Sequence, residues 1–261
     1  MIIETPSGRL NVVVDGPAHA PAILFSNALG TALDLWSAQA AALRDRFKVI
    51  RYDTRGHGGS SSPEGEYTID HLGGDVIHIL DALRIERAHV CGISLGGLTG
   101  QWLALRHPER LRSLVLADTS ARVGTRERWL ERAEKARVEG MAAIARLVLP
   151  GWFTEEFRTR EPQTVERFRQ MVESCDVPGY VGCCAAVRDA DFSDVVHTIT
   201  TRTLVIGGQY DPTTTMADAE FLHGAIPGSG LATLPGAHLT NVECAAAFSH
   251  QIAVFATAVD G

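Results

Sequence analysis

The run Ala88-His89-Val90-Cys91-Gly92-Ile93-Ser94-Leu95-Gly96-Gly97 decides how the rest of the chain is read. Its first half is apolar and short enough for a buried strand. Leu98-Thr99-Gly100-Gln101-Trp102-Leu103-Ala104-Leu105 follows with helical character, so the Gly-x-Ser-x-Gly between them sits where a strand turns sharply into a helix. A serine at such a turn takes a strained backbone conformation that lifts its hydroxyl clear of the sheet. Gly92 and Gly96 leave room where a Cβ would collide with the neighbouring backbone. Leu95 N–H, at the start of the helix, points toward any oxyanion formed beside Ser94, and the positive end of the helix dipole adds to that pull.

Outward from this turn, short apolar runs alternate with helical patterns. Arg9 to Val14, between Ser7-Gly8 and Asp15-Gly16-Pro17, reads as an early strand of a hairpin-like edge, and Ala22-Ile23-Leu24-Phe25 as a buried strand. Leu35, Trp36, Gln39 and Leu43 then recur at helical spacing. Phe47 to Tyr52 is a strand that empties into the glycine-rich Asp53-Thr54-Arg55-Gly56-His57-Gly58-Gly59-Ser60, which lacks the Gly-Lys-Ser/Thr ending of a phosphate loop. Asp53 and Arg55 are expected to tie that loop to its own backbone. Ile69, Leu72, Val76, Ile79, Leu80 and Leu83 mark a helix leading back to the Ser94 strand, and Leu111 to Asp118 is the next strand. This alternation predicts an α/β fold with a mostly parallel central sheet flanked by helices, whose active site lies beyond the carboxyl ends of the strands.

Residues 119–194 break the alternation. Helices are expected over Thr125 to Gly140, Met141 to Leu149 (stopping at Pro150-Gly151), Pro162 to Ser174 and Tyr180 to Arg188, with Pro178-Gly179 as the break between the last two. The segment is read as a helical cap inserted into a core made of residues 1–118 and 195–261. It holds 12 of the 24 basic residues and 13 acidic ones, so most of its arginines are expected on solvated helix faces. The sheet resumes at Thr203 to Gly208, a helix runs from Met216 to Leu222, and Gly230 to Leu234 forms the last strand.

Asp211 and His238 stand just past those two strands, which brings them to the rim that carries Ser94. A serine hydroxyl must lose its proton as it attacks. An imidazole can take that proton, and a buried carboxylate on the other ring nitrogen holds the productive tautomer. Ser94, Asp211 and His238 are therefore the expected nucleophile, acid and base, with Asp118 the competing acid because it also ends a strand.

Composition narrows the setting. The chain has 261 residues, 45% of them hydrophobic, enough for one large α/β core. A net charge of −7 argues against nucleic acid or an anionic membrane as the main partner. Five cysteines (Cys91, Cys175, Cys183, Cys184 and Cys244) without metal-ligand spacing fit reduced thiols. With no signal-like N-terminus and no membrane-length apolar run, a cytoplasmic location is expected.

Through Gly92-Ile93-Ser94-Leu95-Gly96, Asp53 to Gly58, Asp211-Pro212 and Gly236-Ala237-His238 the chain resembles the α/β-hydrolase family over nearly its whole length. Ser26-Asn27-Ala28-Leu29-Gly30-Thr31 with Leu35-Trp36, Gly151-Trp152-Phe153-Thr154 and Cys183 to Asp189 resemble, within it, the 3-oxoadipate enol-lactonases. Ser26-Asn27 stands where most of the wider family carries His-Gly. The resemblance implies Ala28 N–H as the second oxyanion donor beside Leu95 N–H. It also implies a small lactone substrate with a free carboxylate, and neither metal nor organic cofactor. For that carboxylate Arg188 is the expected partner, with Trp129 as an apolar wall; the competing role for Arg188 is an ion pair with Asp189, Asp191 or Asp194. The same triad serves general carboxylesterases and cofactor-free haloperoxidase-like enzymes, and some proteins of this fold act as small-molecule receptors with slow turnover. An aspartate-nucleophile dehalogenase is disfavoured by serine at position 94.

Overall fold

The structure, a computed structural model, describes residues 1–6 and 8–260; Ser7, expected just before the first edge strand, and Gly261, at the end of the expected core, lie outside the described residues. Eight strands make one sheet: β1 (Ile2–Thr5), β2 (Gly8–Asp15), β3 (Ala22–Ser26), β4 (Lys48–Tyr52), β5 (Ala88–Ile93), β6 (Leu111–Ala117), β7 (Thr203–Gly208) and β8 (Gly230–Leu234). Their order across the sheet is β1-β2-β4-β3-β5-β6-β7-β8; β1 and β2 pair antiparallel, and every pairing from β4 to β8 is parallel. Every residue of β3, β5 and β7 is buried, as interior parallel strands covered on both faces must be, whereas β2 alternates.

The period of two divides the core. Ile23 and Phe25 face one apolar layer with Trp36, Leu43, Phe248 and Ile252, while Leu24 between them faces a second with Val76, Ile79, Leu80 and Leu103. The first layer is covered by α1 (Ser37–Leu43) and α10 (Ala245–Asp260), and the second by α2 (Ile69–Ala82), α3 (Leu95–Arg106) and α9 (Met216–Ala225). Thr68 opens α2, its hydroxyl accepting from His71 N–H, a cap worth about 1 kcal/mol.

Between β6 and β7 lie α4 (Arg126–Glu139), α5 (Met141–Trp152), α6 (Glu155–Arg160), α7 (Pro162–Glu173) and α8 (Val177–Asp189), with no strand among the described residues there. Three expectations need correction. Helix α5 does not stop at Pro150 but runs through it to Trp152, because the ring sits near the C-terminal end and Trp152 is buried in the first layer. Pro178-Gly179 is no break: Pro178 lies in the first turn of α8, where a missing N–H costs nothing, and Asp176 caps the helix by accepting from Gly179 N–H. Arg55 is not confined to its own loop; its guanidinium crosses to α2 and pairs with the buried Asp75 at 2.7 Å. Asp53, the other residue expected to hold that loop, does accept from Gly59 N–H, and from Leu33 N–H of the neighbouring loop besides.

Helix α8 is fastened to the core. Gly182 C=O accepts from Tyr67 N–H, Ser62 pairs with Asp176, and a Cβ on Gly56 would meet the Gly179 backbone at 2.5 Å. Helix α5 is fastened as well: the Gly151 and Trp152 carbonyls at its end accept from His238 N–H and Leu239 N–H. The space between these helices and the sheet is thus preformed.

Candidate active site

Ser94 adopts φ 55°, ψ −115° between β5 and α3. That conformation is tolerable only because both glycines of the motif are indispensable to the packing around it. A Cβ on Gly92 would lie 1.9 Å from Gly96 O, and one on Gly96 would lie 2.1 Å from Ser26 O. The turn is tied to β6 by Ser94 N–H donating to Ala117 O and by the Thr119 hydroxyl donating to Ser94 O.

The three separated residues meet. Ser94 Oγ is 3.0 Å from His238 Nε2, and His238 Nδ1 is 2.7 Å from Asp211 Oδ2, with all three buried. Asp211 is held on both oxygens: Oδ1 accepts from Thr213 N–H and Thr214 N–H, and Oδ2 also accepts from the Thr214 hydroxyl. Nδ1 therefore donates to the carboxylate and leaves Nε2 as acceptor for the Ser94 hydroxyl. Burial pulls His238 down, but the Asp211 carboxylate outweighs it and leaves the imidazole above its ordinary pKa. Burial likewise opposes ionisation of Asp211, and the imidazole with its hydrogen bonds outweighs that and holds the carboxyl below its ordinary range. Asp118, the competing acid, makes no bond to His238; its oxygens take Gly208 N–H, Thr240 N–H and the Thr240 hydroxyl.

Leu95 is the first residue of α3, so its N–H lies outside the helical ladder. Ala28 follows Asn27, a residue fixed by three groups. Asn27 Oδ1 accepts from Trp36 Nε1 at 2.9 Å, and its amide donates to Tyr52 O at 2.7 Å and lies 3.5 Å from the Thr54 hydroxyl. The same loop is held at Gly30, whose N–H donates to the buried His57 Nε2. Asn27 and His57 are thus supports that sequence reasoning missed; the polar Ser26-Asn27 pair was the visible signal.

A cavity of about 480 Å³ opens over Ser94 and His238, within the range of small-ligand sites. Ala28, Leu29, Trp129, Val148 and Trp152 supply apolar wall, so Trp129 stands where it was expected. Arg188 does not. It lies outside this lining and makes a two-pronged pair with Glu66 at 2.8 Å as well as a pair with Asp189, joining α8 to the segment before α2. The cavity instead receives Arg128, Arg132 and Lys135 from α4, with Glu131 beside them. Lys135 is paired with Glu139, but neither Arg128 nor Arg132 has a salt-bridge partner among the described residues. Arg132 lies 4.8 Å from the centre of the Trp129 ring, and its charge reaches Tyr180 and His238. Burial and the Arg132 charge together pull Arg128 below its ordinary pKa. The i, i+4, i+7 spacing of these three cations on α4 was the signal available in the sequence.

No group of three or more His, Cys, Asp or Glu among the described residues is arranged to hold a metal. The five cysteines are unpaired, and no helix is long and apolar enough to cross a membrane among the described residues.

Comparison with known proteins agrees with this geometry. The model of the alpha/beta hydrolase fold family matches residues 21–243. 3-Oxoadipate enol-lactonase 2 of Acinetobacter baylyi is 44% identical over 93% of this chain and 91% of its own, and 3-oxoadipate enol-lactonase 1 of the same organism is 38% identical over the same shares. The crystal structure of the enol-lactonase from Burkholderia xenovorans superposes with a TM-score of 0.97 at 43% identity, covering 98% of this chain and 100% of that one. The sheet order, the turn at Ser94 and these likenesses place the chain in the α/β-hydrolase fold family and, within it, among the enol-lactonases.

Proposed function

We propose that this enzyme opens 3-oxoadipate enol-lactone to 3-oxoadipate, in the β-ketoadipate route of aromatic breakdown, through an acyl-enzyme on Ser94. The observation that carries the reading is the 44% identity to an enol-lactonase over 93% of the chain, joined to a Ser94–His238–Asp211 relay that faces a cationic cavity. Ser94 Oγ attacks the lactone carbonyl as His238 Nε2 takes its proton, and Asp211 stabilises the imidazolium. The N–H groups of Ala28 and Leu95 hold the oxyanion. Collapse breaks the ring C–O bond as the His238 imidazolium gives its proton to the departing oxygen, releasing an enol that stays tethered through the acyl group; tautomerisation to the ketone prevents reclosure. Water, deprotonated by His238, then splits the ester and restores Ser94. In this reading residues 119–194 are a cap on a core of residues 1–118 and 195–261, and the chemistry is complete without a cofactor.

A desolvated carboxylate must be paired, and Arg132, with Arg128 one turn away on the same helix, replaces Arg188 as the partner for the substrate's free carboxylate. Arg132→Met is expected to lower kcat/KM for the enol-lactone roughly ten- to a hundredfold, the worth of a charged hydrogen bond at about 1.5–3 kcal/mol, while sparing an uncharged aryl ester. Arg188→Met is expected to lower the melting temperature and to affect both substrates alike. The reading itself is tested by comparing kcat/KM on the enol-lactone, a saturated lactone and a plain aryl ester. Preference for the aryl ester would make the protein a general esterase, and slow turnover of all three would make it a receptor.

A further inference from the structure

Asp118 stands immediately after β6 with φ 40°, a left-handed conformation that a side chain rarely adopts without being held there, and it is 1% exposed. Its carboxylate reaches two separate loops. Oδ1 accepts from Gly208 N–H at 2.9 Å, and Gly208 in turn takes Asp211 N–H on its carbonyl. Oδ2 accepts from Thr240 N–H at 3.1 Å and from the Thr240 hydroxyl at 2.6 Å, two residues beyond His238. The loops also touch directly, since Tyr210 N–H donates to Gly236 O.

We infer that Asp118 is a positioning residue, a buried carboxylate clip that holds the Asp211 loop and the His238 loop in the one register in which their hydrogen bond closes. The inference rests on the reading of Ser94, His238 and Asp211 as the catalytic relay. Three donors converge on this side chain, and only a group that accepts on both oxygens satisfies all of them. An asparagine must turn its NH₂ toward either Gly208 N–H or Thr240 N–H, opposing donor to donor, and releases one loop or the other. The arrangement is costly. Burial first, and then the nearby Asp211 carboxylate, push the Asp118 carboxyl far above its ordinary range, against the pull of His238 and Thr240. A fold seeking stability alone would fill this site with apolar side chains, because a buried charge is weak support for stability. What the carboxylate supplies is relative placement of two loops that no strand pairing joins beyond Gly208 and Leu234.

Asp118→Asn, made in the full chain, tests this with kcat and KM on the enol-lactone, the rate of Ser94 labelling by a fluorophosphonate, and the far-downfield proton resonance of the hydrogen-bonded His238 Nδ1–H. Labelling needs the relay but not the natural substrate. The expected result is a fall of roughly ten- to a hundredfold in kcat and in labelling rate, the cost of small misplacement, with KM within about twofold and the downfield resonance broadened or lost. Thr240→Ala removes only the hydroxyl leg and is expected to change the same quantities in the same direction by less, which keeps the inference testable if Asp118→Asn does not fold. Unchanged labelling and an intact resonance with a lower melting temperature would overturn it and leave Asp118 a brace of the fold. Failure of the wild-type Ser94 to label at all would instead overturn the relay reading, and this inference with it.

Discussion

Ser94→Ala is expected to leave a folded protein whose turnover of the enol-lactone is lower by on the order of 10⁶-fold, the loss recorded when a serine relay is deprived of its nucleophile. Alanine keeps the Cβ, so the strained φ of 55° and the close approaches at Gly92 and Gly96 are unaltered. Among the described residues the hydroxyl's hydrogen bond is with His238 alone, and the backbone ties to Ala117 and Thr119 stay. The melting temperature should therefore move little. Some acceleration over water is expected to survive, since on the proposed mechanism the N–H groups of Ala28 and Leu95 and the cationic wall still bind the lactone, but no covalent intermediate can form. Single-turnover measurements with the enol-lactone, together with loss of labelling by a fluorophosphonate, check both halves. Turnover near that of the wild type would remove the turn between β5 and α3 from the chemistry.

Much of this is legible in the sequence. A six-residue apolar run, two glycines around a serine and a helical pattern suffice for β5, the turn and α3, because strand period, helix period and the steric need for glycine all point the same way. Asp211 and His238 were found by a topological argument: parallel strands end at one rim, whatever the distance along the chain. The edge strand β1 escaped notice, as four residues carry too little alternation to register. The errors have a common cause in tertiary context. Pro150 reads as a stop, but a proline two residues before the end of a helix forfeits one bond while Trp152 gains burial. Arg55 reads as a tie within its own loop because the position of Asp75, on the helix that follows and 20 residues along the chain, is set by packing alone. Arg188 reads as the candidate because of its small-residue neighbours Cys183 to Val187, but α8 packs against α4, and the face that lines the cavity belongs to α4 and carries Arg128 and Arg132. Periodicity assigns residues to a face of a helix and is silent on which neighbour that face meets.

The choice between two acids at the crest of the sheet gives the second large effect. Asp211→Asn is expected to reduce kcat by on the order of 10⁴-fold, far beyond the loss from Asp118→Asn, and the reason lies in how Asp211 is held. Oδ1 takes two backbone donors, Thr213 N–H and Thr214 N–H, so an asparagine placed there must keep its carbonyl oxygen on that side and present its NH₂ to His238. Facing a donor, the imidazole must accept on Nδ1 and carry its proton on Nε2, where it opposes the Ser94 hydroxyl instead of receiving its proton. The nucleophile is present but has no base. The pH dependence shifts as well. On the proposed mechanism His238 works unprotonated, and in the wild type the Asp211 charge outweighs burial and raises its pKa, so activity is expected to be lost as pH falls through that raised value. Without the charge the imidazole stays neutral to lower pH, and the acid limb of the residual rate should move down. At Asp118 the same substitution loosens two loops but leaves a carboxylate on Nδ1, so the tautomer survives and the loss stays within about a hundredfold. Steady-state rates of the two variants across pH, measured on one substrate, decide the matter: a larger loss at Asp118 than at Asp211 would transfer the role of catalytic acid to the residue after β6.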